Sequence, residues 1–285
     1  MGRGAQGTHA NGIASRQTTA LPKVTPRKIT ALPKPVQAPD MAAVAKQFAK
    51  RTLTAAYSED TTLTRPEFLR RFGERLAYYQ LLVGDALNKY AFETSLEHSL
   101  LQTGLVVERP QASNHPGHDL IIDGQAFSLK TEAARQIRQD RIHISKLMES
   151  AWSKDFKTPA DASRACKRIL QHLEQYDRVL TLRAFRGQSE EMAASAGETG
   201  EMIRYDLVEI PKEVLTAISQ LRTKDFGKLS AAGSTRADVT IKGKRAFTLL
   251  FDGSDNKVTV RGIDTDLCQH HASWWVPLPE VDLNE

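Results

Sequence analysis

The run Pro116-Gly-His-Asp119-Leu-Ile-Ile-Asp-Gly-Gln-Ala-Phe-Ser-Leu-Lys130-Thr-Glu132-Ala carries the residue types that phosphodiester chemistry needs. Hydrolysis of that bond calls for carboxylates that hold a divalent metal, which acidifies water and offsets the charge growing on the phosphate. A cation beside the attacking water adds to the stabilisation. Asp119 offers a carboxylate at the head of one segment, and Lys130 an ammonium near the end of the next. Paired as strands, the two segments bring these groups together. Side-chain period two then places Ser128, Lys130 and, if the strand persists, Glu132 on one face.

The flanking pattern supports that pairing. Asp119-Leu-Ile-Ile-Asp and Ala126-Phe-Ser-Leu-Lys-Thr131 read as strands, and Asp123-Gly124 as the tight turn of a hairpin. Leu105-Val-Val-Glu reads as a strand before them. Residues 90–102 read as a helix, with Phe92, Leu96 and Leu100 at helical spacing and Gly104 as its stop. Downstream, residues 141–144 suggest a short strand and Ser145 the start of a helix. Residues 162–176 suggest another helix, and residues 178–185 a buried strand. The order helix, three strands, helix, strand predicts an α/β fold with a mixed central sheet in three layers.

Residues 41–57 are Ala-rich and helical in pattern. A further helix runs to about residue 87, with Thr64 as N-cap and Pro66 in its first turn. A polar stretch at 187–200 is followed by strands near 205–209, 237–241, 246–251 and 257–261, with a helix after Pro211. The reading is one domain over 41–285: a helical part (41–88), a core (89–186) and a β-rich extension (201–279). Residues 1–40 precede it as a separate tail.

Hydrophobic residues at 40% and charged residues at 26% are ordinary for a soluble globular chain. The 39 Lys and Arg against 34 Asp and Glu leave +5, which suits an anionic partner. Cys166 and Cys268 stand far apart without a CxxC or Cys/His pattern. That argues against a disulfide framework or a zinc site and for a reducing compartment, the cytoplasm. The N-terminus does not read as a secretory signal, and no run of about 18 apolar residues suggests a membrane span. No P-loop or dinucleotide fingerprint is present, which argues against ATP-driven translocation.

Several further runs, in the same order, are informative together. His115-Pro-Gly-His-Asp119 and Leu129-Lys-Thr-Glu-Ala133 are followed by Ile142-His-Ile-Ser-Lys146 with Met148-Glu149, and by His172-Leu-Glu-Gln-Tyr176 leading to Thr181-Leu-Arg183. Leu207-Val-Glu-Ile-Pro-Lys212 and Phe251-Asp-Gly253 complete the set. Over roughly residues 65–277 the chain resembles the SmaI-type restriction endonucleases. The resemblance implies the PD-(D/E)XK nuclease fold with its αβββαβ core, Mg²⁺ dependence and double-stranded DNA as substrate. It implies a palindromic GC-rich site of the CCCGGG kind, cut at its centre to leave blunt ends. A homodimer follows from the two-fold symmetry of such a site. A cognate DNA methyltransferase would act on the same sequence without needing to bind this chain.

One departure matters. The usual motif has Asp or Glu where Ser128 stands, so the second metal carboxylate must come from elsewhere. Glu132 offers it from the same strand face, and Glu93 from the preceding helix, with Glu97 one turn further on. Glu132 is preferred, because one local segment then sets both groups.

Other cations are candidate DNA contacts. Arg135, Arg138 and Arg141 cluster just after Lys130 and suit phosphate, unless they form a solvated face. His143 and Lys146 could approach phosphate near the scissile bond or flank a helix N-terminus. Arg183 and Arg186 end a central strand, where Arg either reads guanine or pairs within the sheet. His270, His271, Trp274 and Trp275 read as a packed closing segment rather than a ligand box. Two rival functions remain open: a nuclease without strict site specificity, used in repair or as a toxin, and a non-catalytic DNA-binding protein on the same fold.

Residues 1–40 hold Arg3, Arg16, Lys23, Arg27, Lys28 and Lys34 among five prolines, with Thr18-Thr-Ala-Leu-Pro-Lys23 echoed by Ile29-Thr-Ala-Leu-Pro-Lys34. Such a segment buries too little apolar surface to offset its ordering entropy, and reads as a basic arm or an inert tail. If it follows phosphates, its deletion should flatten the dependence of log K for DNA on log salt, by up to about 0.9 for each phosphate it neutralises. The recognised sequence should be unchanged. Binding titrations across a salt series check this, and an identical slope would make the segment an inert tail.

Overall fold

The computed structural model describes residues 41–110, 117–134, 136–186 and 201–279. The arm at 1–40, the stretch at 187–200 and Arg135 lie outside them. Asp123 and Gly124 take φ of 47° and 80°, the paired positive values of a type I′ hairpin turn. Around that turn β3 (Leu120–Ile122) pairs with β4 (Gln125–Glu132) in the register Leu120↔Phe127 to Ile122↔Gln125. β2 (Val107–Glu108) lies on the outer side of β3.

β4 outruns β3, and its far half is held from the other side. From Phe127 to Glu132 it pairs in parallel with β6 (Arg178–Arg186), in the register Lys130↔Thr181 and Glu132↔Arg183. β6 is buried along nearly its whole length, as expected of a strand covered on both faces. The sheet continues antiparallel through β7 (Met202–Ile210), β11 (Gln269–Pro277) and β1 (Leu53–Ala56). The mixed seven-stranded order is therefore β1-β11-β7-β6-β4-β3-β2. A second, antiparallel sheet has the order β5 (Arg141–Glu149), β10 (Lys257–Asp264), β9 (Lys244–Asp252), β8 (Thr235–Ile241).

Two apolar layers cover the central sheet. On one face α2 (Pro66–Val83) and α3 (Lys89–Leu101) pack Phe68, Phe72, Phe92 and Leu96 against Phe127, Leu129, Leu180, Leu182 and Trp274. On the other, Val179, Val208 and Ile210 meet α4 (Pro159–Leu173), α5 (Lys212–Thr216) and the second sheet. Phe127 and Leu129 occupy the first face, so period two sends Ser128, Lys130 and Glu132 to the second.

The structure departs from the sequence pattern in four places. No helix starts at Ser145: β5 runs on to Glu149, because a register shift between its Ile144 and Met148 pairings with β10 turns Leu147 inward. The Ala-rich helix α1 (Met41–Ala49) stops early, and the chain then adds β1 to the sheet edge. The N-cap of α2 is Arg65 rather than Thr64, whose hydroxyl instead donates back to the Asp60 carbonyl. The closing segment with His270 and Trp274 is a full strand, β11, set between β1 and β7.

Trp274 is wholly buried, and its Nε1 donates to the Leu69 carbonyl of α2 at 2.9 Å. Helix and indole come so close that a Cβ on Gly73 would stand 2.9 Å from Trp274 Cδ1. Gly73→Ala should therefore destabilise the protein by about 1–3 kcal/mol through overpacking. That outweighs the helix-propensity gain of up to about 1 kcal/mol that the same change brings. Denaturant unfolding measures the net sign, and a stabilised variant would contradict this packing.

Candidate active site

Asp119 lies just ahead of β3 and is held from three directions. Its N–H donates to the Phe127 carbonyl at 2.7 Å. Its Oδ2 accepts the Leu129 N–H at 2.6 Å, just past the last β3–β4 pair. Its Oδ1 accepts the ammonium of Lys89 at 2.7 Å. Lys89 is the first residue of α3, whose start is capped by the Asn88 side chain accepting from Ala91 N–H at 2.9 Å. Burial of Phe92 and Leu96 orients that helix, and Lys89 and Glu93 then share its flank at i,i+4. Glu93 Oε1 lies 3.4 Å from the same Lys89 Nζ. One cation thus bridges the two carboxylates.

Lys130 is half-buried beside this group. Burial pushes its ammonium down to about 8; the positive charges of Lys89 and Lys146 push the same way, against Asp119 and Glu93. Lys89 moves the other way: burial would lower it, but its bonds to Asp119 and Glu93 outweigh that and raise it. The groups open onto a cleft of about 560 Å³ lined by Lys89, Asp119, Lys130, Lys146, Glu149 and His172. His172 is kept below the usual imidazole range by burial and then by the charge of Lys130, with its Nε2 3.2 Å from the Leu147 carbonyl oxygen.

Glu132 is not part of this cluster, contrary to the preference drawn from the sequence. It shares the face of Lys130, but its cross-strand neighbour is Arg183, and both are buried, 7% and 2% exposed. Glu132 Oε2 accepts from Arg183 Nε at 2.7 Å, and Oε1 from His143 N–H at 2.9 Å. Burial raises its carboxyl pKa, and Arg183 opposes the rise. Arg183 gives its remaining donors to the carbonyls of Gln139, Arg138 and Arg141. This is the pairing within the sheet, not a side chain presented to a groove.

The other candidates divide between the cleft, a neighbouring cavity and pairs elsewhere. Glu97 pairs with Arg109 at 2.6 Å, away from Asp119. Lys146 lines the cleft from β5 and pairs with Glu149 at 2.6 Å. A second cavity of about 490 Å³ adjoins the cleft at Thr131 and Ser145, lined by Glu132, Gln136, Arg138, Arg141 and His143. There Arg138 is exposed and chelated by Asp140, while Arg141 reaches Asp264 at 3.1 Å. Burial, then Arg261 and Lys257, lowers the pKa of His143. Arg186, at the end of β6, pairs with Asp85.

Lys89 is not singled out by the sequence; its only local signal is the four-residue spacing to Glu93. Among the described residues no cluster of three or more His, Cys, Asp or Glu side chains has metal-binding geometry. A hard divalent ion that keeps several waters needs only one or two protein carboxylates, however. Asp119 and Glu93 already turn oxygens toward a single cation, so the donor set fits such an ion.

The SmaI family model, described as type II site-specific deoxyribonuclease, matches residues 43–276. The chain belongs to this family. It is a type II restriction endonuclease, an enzyme whose substrate is DNA. It is 31% identical over 216 residues to the type II restriction enzyme SmaI of Serratia marcescens, covering 75% of this chain and 81% of that protein. No solved structure gives a significant match. Family members of this type generally use divalent metal ions. No helix among the described residues is long and apolar enough to cross a membrane.

The Glu132–Arg183 pair makes a prediction of its own. Glu132→Gln leaves a guanidinium buried without its counter-charge, which costs about 3–5 kcal/mol. The three carbonyl partners of Arg183 place the expected loss at the lower end of that range. Equilibrium unfolding should show it, and an unchanged midpoint would mean that the pair does not hold β4 to β6.

Proposed function

We propose that this endonuclease hydrolyses double-stranded DNA with Mg²⁺, and that Asp119, Glu93 and Lys130 form its reactive centre. The observation that carries the proposal is the pair of carboxylates converging on one cation beside a half-buried lysine. When bound, Mg²⁺ would supply Lewis acidity and neutralise charge on the scissile phosphate. Asp119 and Glu93 would hold it, with DNA oxygens and waters completing its shell. Glu93 thus takes the role that the Ser128 position leaves vacant.

Lys130 orients the attacking water and, in its neutral form, accepts its proton. Burial supports this, because it brings the amine near the operating pH. Lys146 and His172 border the space that the phosphate would enter, and Arg138, Arg141 and His143 border the adjoining cavity, where DNA beyond the scissile bond would lie. A homodimer acts on a short palindromic GC-rich site of the CCCGGG kind, one protomer per strand, and leaves blunt ends. The fold is of the PD-(D/E)XK type, the enzyme works in the cytoplasm, and a methyltransferase of matching specificity protects the host sites.

Digestion of plasmid DNA with Mg²⁺, followed by sequencing of the ends, tests the whole reading. Discrete fragments with identical blunt GC-rich ends are expected. A smear would mean a nuclease without site specificity, and Mg²⁺-independent or absent cleavage would remove the metal mechanism. Asp119→Asn and Glu93→Gln should each lower the rate at least about a hundredfold, as for loss of a preorganised charge at a transition state. The rate should also rise with pH as Lys130 loses its proton, and level off above about 8. Lys130→Arg, which stays charged, should abolish both the rise and most of the activity. A flat profile through this range in the wild type would exclude Lys130 as the base.

A further inference from the structure

Lys89 holds the place between Asp119 and Glu93 that the proposed metal would need. Its Nζ is 2.7 Å from Asp119 Oδ1 and 3.4 Å from Glu93 Oε1. An ammonium and a divalent cation cannot both sit there, since they compete for the same oxygens and repel each other. We infer that Lys89 is the resident counter-ion of the two-carboxylate site and that a divalent cation enters by displacing it. The inference rests on the reading of Asp119 and Glu93 as metal ligands.

Three features make the exchange mechanically simple. Lys89 is 48% exposed and carries its charge on a flexible four-carbon stem, so it can swing away without repacking the core. Asp119 stays in place when Lys89 leaves, because Oδ2 remains bound to the Leu129 N–H at 2.6 Å. Glu93 is fixed by α3, whose neighbouring Phe92 is wholly buried. Until metal arrives, Lys89 offsets the mutual repulsion of the two carboxylates and keeps them convergent. Once displaced, its ammonium is still at the wall of the cleft, next to where the phosphate would lie.

Such a counter-ion lowers metal affinity by the fraction of time that it occupies the site. A site closed by lysine about 90% of the time binds metal about tenfold more weakly than the open one. Titration calorimetry of the full chain with Mn²⁺ alone, without DNA, reads this directly and involves no cleavage. Lys89→Gln should tighten Mn²⁺ binding about tenfold, and Lys89→Arg, which keeps a cation in place, should not. Lys146→Gln controls for net charge, since Lys146 lines the same cleft but pairs with Glu149. Equal tightening in Lys146→Gln and Lys89→Gln would reduce the effect to the general field of the cleft and overturn the inference. So would unchanged or weaker binding in Lys89→Gln when Asp119→Asn still abolishes binding; the metal site itself would then stand. Mn²⁺ binding that is indifferent to Asp119→Asn would overturn both the inference and the reading beneath it.

Discussion

The hydrogen bond from the Leu129 N–H to Asp119 Oδ2 sets the geometry on which the rest of the site depends. β3 ends its pairing with β4 at Leu120↔Phe127, so the next amide facing that side needs an acceptor. Asp119 supplies one from its side chain. The same carboxylate is thereby locked beside the stretch of β4 that carries Lys130. One oxygen is committed to the backbone, and the other is free for a cation. A shorter β4, or a β3 extended by another pair, would remove this arrangement.

Two constraints support that bond, one from a face of the sheet and one from within it. α3, held by Phe92 and Leu96 against Leu129, brings Lys89 and Glu93 to the same spot. The parallel pairing of β4 with β6 holds the strand from its other edge, and the buried Glu132–Arg183 pair fastens its far end. Arg183 also gathers two carbonyls from the turn leading into β5 and one from its first residue, Arg141. β5 then carries Lys146 to the opposite wall of the cleft. Glu132 and Arg183 thus spend their charges on each other and hold β4 to β6.

Much of this is legible in the residues. The Asp123-Gly124 pair and the alternation from Ala126 to Thr131 describe the hairpin, and the ordered runs from His115 to Gly253 point to the family. Alternation also assigns Ser128, Lys130 and Glu132 to one face. It carries no information about which acid on that face already has a partner. That depends on the β4–β6 register, which joins Glu132 to a residue 51 positions away. The second half of β5 looks helical in sequence because a register shift disrupts period two at Ser145 and Lys146. Lys89 is invisible for a related reason: on its own it is a solvated helix lysine, and only the long-range bond to Asp119 gives it meaning.

The catalytic scheme stands on where a divalent ion sits. Anomalous diffraction from crystals of the enzyme soaked with Mn²⁺ in the presence of uncleavable DNA would locate it directly. A single strong peak bridging Asp119 and Glu93, with Lys130 beside it and Lys89 turned away, is the expected result. A peak at Glu132, or one coordinated by neither Asp119 nor Glu93, would contradict it.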